Sequence, residues 1–155
     1  MSEAHEAHLH LLVCIDRVNN AWRTLKTIEE NPSSPLLGPA FRYALVEYAT
    51  AFARSDGPVK KRRVLPKSVV PTNHIALHAR VVSARQSVLA HADLTVLDAE
   101  LHVSHINGEK YVSRIQNRIT GLEELPQLEA VIAMVEAVID SLYALRESSA
   151  GNITV

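Results

Sequence analysis

Cysteine is almost absent: Cys14 stands alone in 155 residues. A single thiol excludes an internal disulfide and fits a reducing compartment. Aromatic residues make up only 5% of the chain, so a core must be built from alanine, valine, leucine and isoleucine. There is no excess of positive charge, because 16 Lys and Arg against 17 Asp and Glu leave a formal net charge of -1. No global field draws in nucleic acid, and any anion site must be local. No segment approaches the ~20 apolar residues of a membrane span. The first residues, Ser2, Glu3, His5 and Glu6, do not read as a basic stretch before an apolar run, so a soluble cytoplasmic protein is expected. A glycine-rich phosphate loop, a paired-carboxylate motif and a serine nucleophile elbow are all missing.

What is present is helical patterning. Hydrophobic residues are 47% of the chain, too many for disorder, and the length suits one domain over residues 1–155. Leu11, Cys14, Ile15, Val18, Ala21, Trp22, Leu25 and Ile28 recur at steps of three and four, which predicts a helix over 4–30. The Asn31-Pro32-Ser33-Ser34-Pro35 run ends it. Phe41, Leu45, Tyr48 and Phe52 form the stripe of a second helix over 38–55, stopped by Asp56-Gly57-Pro58. Residues 57–71 read as an irregular connection holding three prolines and a solvated basic run, Lys60, Lys61, Arg62 and Arg63. Thr72 is placed to cap a third helix over about 73–92. Ile75, Leu77, Val81, Ala84, Val88 and Ala92 would face its core side.

Residues 94–115 change period. They are rich in β-branched and aliphatic residues and carry Asn107-Gly108, a pair that takes the positive dihedrals of a tight turn. The expectation is a short β-hairpin, with a helix over 95–105 as the competitor. Pro126 then suits the first turn of a last helix, whose apolar residues run from Leu128 and Val131 to Leu142 and Leu145. That face is broad enough to touch both the core and a partner subunit. Residues 148–155 read as a flexible polar tail. The fold class that follows is all-α, a bundle of about four main helices with a small β-hairpin before the last.

The sharpest chemical signal is Arg85-Gln86-Ser87-Val88-Leu89-Ala90-His91-Ala92-Asp93. A histidine exchanges protons near neutral pH, and an arginine can hold a phosphate through two parallel hydrogen bonds. Six helical positions leave the two Cα atoms about 120° apart around the axis, so they meet only if the arginine curls or the helix frays. A structural histidine at a helix end beside a surface arginine is the plainer account of the same spacing. His74 and His78, at i and i+4, have zinc-compatible spacing, but no Glu follows His74 and no third ligand is near. They read as polar-face histidines, able to widen a positive surface around Arg85. His5, His8 and His10 lie at a terminus prone to fraying and read as solvated.

The nine-residue stretch resembles the signature of the HEPN superfamily: an arginine, four to six residues, then a histidine, often continued as Ala-His-x-Asp. The Ala-His-Ala-Asp ending looks most like HEPN proteins of the abortive-infection type. The resemblance implies a small helical bundle, a homodimer with two motifs facing one cleft, and metal-independent cleavage of RNA without a cofactor. It also implies a setting in phage defence or a toxin–antitoxin stress response, with an antitoxin or other protein partner. Arg85 and His91 would be catalytic, with Asp93 orienting His91. Gln86 stands where the family usually has Asn, Asp or His, a departure that bears on catalysis more than on fold. Lys60, Lys61, Arg62, Arg63, His78 and Gln86 would contact RNA, through its backbone in the case of the basic loop. The alternative is a non-catalytic dimeric interaction module on the same core.

Overall fold

Ser2 opens the first helix. Its hydroxyl accepts from the His5 amide at 3.2 Å, and Glu3 and Glu6 place negative charge on the first turn, where the helix dipole favours it. In the computed structural model, which describes residues 2–85, 99–116 and 127–151, this helix is α1, Glu3–Glu30. It is followed by α2, Leu37–Ala51, two 3-10 turns at Lys67–Val69 and Thr72–His74, and α3, Ile75–Ala84. Next come β1, Ala99–Ile106, and β2, Glu109–Gln116, and then α4, Leu128–Ala150. The four-helix plan with a hairpin before the last helix is the one the periodicities predict.

The core sits where α1, α2 and α4 meet. Val18 and Ala21 of α1, Phe41 and Ala44 of α2, and Val131, Met134, Val138 and Leu142 of α4 have no exposed surface. Alanines at the α1–α2 seam let the backbones approach closely, which suits a chain with few aromatics. α3 enters this core through one fully buried residue, Val81.

Several details differ from the sequence reading. α2 stops at Ala51 rather than 55, because the Phe52 and Ala53 amides bond to carbonyls three residues back, tightening the last turn. Thr72 does not cap α3: it lies inside a 3-10 turn, and the residue preceding the helix, His74, makes no capping bond through its side chain. Ile75 is half exposed instead of core-facing, because it lies six helical positions before the buried Val81, about 120° away around the axis of α3. The last helix carries no exposed large hydrophobic residue. Its broad face packs mainly against α1. Ser148, Ser149 and Ala150 belong to the last turns of α4 and not to a tail. Pro126 and the expected helical residues 86–92 lie outside the described residues.

The hairpin follows the Asn-Gly signal. Asn107 and Gly108 have φ of 53° and 85°, the paired positive dihedrals of a tight two-residue turn. The strands are antiparallel from Ala99↔Gln116 to Ile106↔Glu109, which rules out the competing helix over 99–105. Leu101, Val103 and Val112 share one face by register and are all exposed, Leu101 at 78%.

Candidate functional site

Arg85 closes α3. Its backbone is still helical, with φ -61° and ψ -40°, and its amide bonds back to Val81 and Ser83 carbonyls. The side chain is half-buried, and its Nε is fully buried without a hydrogen-bond partner. No ion pair holds it among the described residues. Gln86, His91 and Asp93 lie outside the described residues, so the remainder of the motif is not part of the observed geometry.

His78 is turned inward rather than onto a polar face. Its Nδ1 lies 2.9 Å from the Tyr48 hydroxyl, and its ring meets Phe52 edge-on at 4.5 Å between centroids. Burial pushes the Tyr48 phenol up and the His78 imidazole down. Both partners therefore stay neutral near pH 7, the phenol donating and the ring nitrogen accepting. His78 ties α3 to α2 and adds no positive charge beside Arg85. His74 sits against Asn73 instead, so the i, i+4 pair does not converge. Among the described residues no group of three or more His, Cys, Asp or Glu side chains is placed to hold a metal.

The basic run divides. Arg63 is not solvated: its side chain is 12% exposed and donates from Nη2 to Glu6 at 2.8 Å. Glu6 also accepts from the Val59 and Lys60 amides, each at 2.9 Å. The Val59 amide is the largest cause holding this carboxyl below its ordinary range, with Arg63 and the Lys60 amide adding to it against an opposing effect of burial. Lys60 pairs with Glu3 at 3.0 Å. Arg62 turns the loop, with a left-handed φ of 59° stabilised by its amide donating to Asp56 at 2.7 Å. Lys61 and Arg62 are left as the exposed cations of the run without an ion pair among the described residues.

Sequence reasoning missed this clasp. The available signal was Glu6 itself, which shares the i, i+4, i+8 stripe of α1 with His10 and Cys14. It also treated His10 as solvated, whereas the ring packs against Cys14, with Nε2 and Sγ 3.7 Å apart. The pair has the composition of a thiolate–imidazolium dyad but not its chemistry. The thiol donates to the Ala51 carbonyl at 3.3 Å, and burial raises its pKa to about 11. Burial, then Arg63, lowers that of His10. A neutral thiol beside a neutral imidazole is a packed contact, not an activated nucleophile.

In comparisons with known proteins, no family model matches the chain, and no curated protein and no solved structure matches it significantly.

Proposed function

We propose that the chain is a HEPN-like, metal-independent endoribonuclease, acting as a homodimer in phage defence or a toxin–antitoxin response. The observation that supports this reading is Arg85. A half-buried guanidinium at a helix end, without an ion pair among the described residues, is suited to receive a phosphate oxygen. In the proposed step a base removes the proton of the 2′-hydroxyl, the 2′-oxygen attacks phosphorus, and the 5′-oxygen leaves with a proton from an acid. His91 supplies one of these proton transfers, Arg85 stabilises the charge on the phosphorane-like transition state, and Asp93 orients His91. The products are a 2′,3′-cyclic phosphate and a 5′-hydroxyl. The test is RNA cleavage in EDTA. Wild type should cleave, His91→Ala should lose about 10²- to 10⁴-fold in rate, and Arg85→Lys should also lose rate because an ammonium cannot form the bidentate fork. Equal cleavage by wild type and His91→Ala removes the enzyme reading.

A second reading is a non-catalytic interaction module that binds a protein such as an antitoxin. It is favoured by the inward commitment of Arg63 and His78, which removes two of the cations expected at an RNA surface, and by the exposed apolar hairpin face. Wild type without cleavage of any RNA in the same assay, but with a defined stoichiometric protein partner, would select it.

A further inference from the structure

Among the described residues β1 and β2 form a two-stranded sheet with both edges open. The side chains of residues 101–103, 105, 106 and 109–113 are exposed, so the described helices cover neither face. A ribbon of two strands is marginal in water, and further strands with an apolar face make a sheet stable. An open edge is a template for another strand.

The two edges differ. The Asn107-Gly108 turn makes Ile106↔Glu109 the hydrogen-bonded pair that closes the hairpin. Along an antiparallel ladder such pairs alternate with pairs whose amides and carbonyls point away from the partner strand. The outward set is therefore Leu101, Val103 and His105 on β1, and Lys110 and Val112 on β2. Lysine on an edge strand blunts pairing with another chain, so β2 is guarded. β1 carries no lysine or arginine. It also matches itself. When two copies run antiparallel about a two-fold axis through His102, Leu101 of each falls opposite Val103 of the other. The registers on either side oppose Val103 to itself, or Leu101 to itself, and leave the other residue opposite His105 or Ala99. From this edge chemistry we propose that a second copy of this chain adds to the β1 edge in the Leu101–Val103 register. The product is a four-stranded antiparallel sheet in the order β2, β1, β1, β2. Leu101, Val103 and Val112 of both copies then share one face as a continuous apolar strip. The outer edges are the lysine-bearing ones, so assembly closes at the dimer. The pairing needs only the two strands and holds for the nuclease and the interaction module alike.

Sedimentation of the full chain between about 5 and 500 μM should show a monomer–dimer equilibrium, with a Kd on the order of 10–100 μM because one strand edge is a small interface. Hydrogen exchange reads the edge. The Leu101 and Val103 amides should gain protection as concentration rises, while the Lys110 and Val112 amides stay unprotected. Across the axis the two His102 Cα atoms form a non-hydrogen-bonded pair about 4.5 Å apart, within disulfide reach. His102→Cys should therefore oxidise to a linked dimer. Tyr111→Cys should not, because three strand spacings hold it at least about 14 Å from its counterpart. Cys14 is buried and does not compete. Val103→Lys guards the inner edge and should weaken association at least about tenfold, with helical circular dichroism unchanged. A monomer throughout the concentration range overturns the pairing. A dimer whose Leu101 and Val103 amides stay unprotected also overturns it, since its contact then lies elsewhere. His102→Cys that stays unlinked overturns the register. If Val103→Lys loses the hairpin, wild-type exchange and the His102→Cys link still decide. A chain that pairs through β1 but cleaves no RNA keeps this interface and loses only the nuclease reading.

Discussion

Glu6 shows how much one residue does in this molecule. It occupies a position on the buried stripe of α1 and accepts three hydrogen bonds from the loop that crosses it. The sign of its pH effect follows from its depressed pKa. A carboxyl held below its ordinary value of 4.5 stabilises the fold above that pH, and the contribution is lost as pH falls through the folded value. Tm of the wild type should therefore drop below about pH 4.5 more steeply than that of Glu6→Gln, and the two curves, separated at pH 7, should converge in acid. Parallel curves would show that the clasp does not couple to stability. Gly57 is part of the same device. A methyl added there would sit 2.0 Å from Glu6 Oε1 and 2.5 Å from its Cδ. Glu6 would swing away and lose its loop bonds, so Gly57→Ala should lower Tm by several degrees in wild type and far less in a Glu6→Ala background, a non-additivity that a double-mutant cycle reads directly. Cys14 gives a third check at this scale. With the thiol raised to about 11 and the residue 3% exposed, its reaction with a disulfide reagent at pH 8 should be at least about 100-fold slower in the folded chain than in urea.

Elements were the most legible level. The periodicities of residues 11–28 and 128–145 gave α1 and α4 because each buries a continuous stripe, and a 3.6-residue period is a property of the stripe alone. The Asn107-Gly108 turn was legible for a local reason too, since few pairs tolerate two positive φ values. What sequence did not reveal depends on partners far along the chain. His78 faces Tyr48 thirty residues away, and Arg63 faces Glu6 across 57, so spacing could not distinguish them from surface residues. The width of the α4 face has the same limit: width alone does not say which neighbours fill it. Of the motif, Arg85 is placed at the end of α3, whereas Gln86, His91 and Asp93 are not among the described residues. The hairpin yields its own prediction. A two-stranded ribbon is marginal by itself, and its exposed side chains add little to the core. Gly108→Val, which forces a β-branched residue to positive φ, should remove hydrogen-exchange protection from β1 and β2 while leaving the Tm of the helical core within about 2 °C, roughly a 1 kcal/mol effect at this size. A large drop in Tm would mean that the hairpin supports the core.

At the scale of the whole molecule, charge limits how this protein can hold RNA. The formal net charge of -1 provides no long-range attraction. Among the candidate cations, Lys60 is paired with Glu3 and Arg63 with Glu6. That leaves Lys61, Arg62 and Arg85 as the cations of the proposed surface that carry no ion pair among the described residues. Each phosphate contact to a single strand contributes about -0.7 to the slope of log affinity against log salt. Three contacts give a slope of about -2 per protomer, far shallower than that of a dedicated basic RNA binder. The measurement is equilibrium binding of a single-stranded RNA to His91→Ala, which leaves the substrate intact, between about 50 and 200 mM salt. Replacing Lys61 and Arg62 by alanine should reduce the slope by about two thirds and weaken binding across all sequences alike, since phosphate contacts carry no base information. A slope steeper than about -5 per protomer would require a cationic surface that these residues do not form, and no salt dependence at all would remove RNA as the ligand.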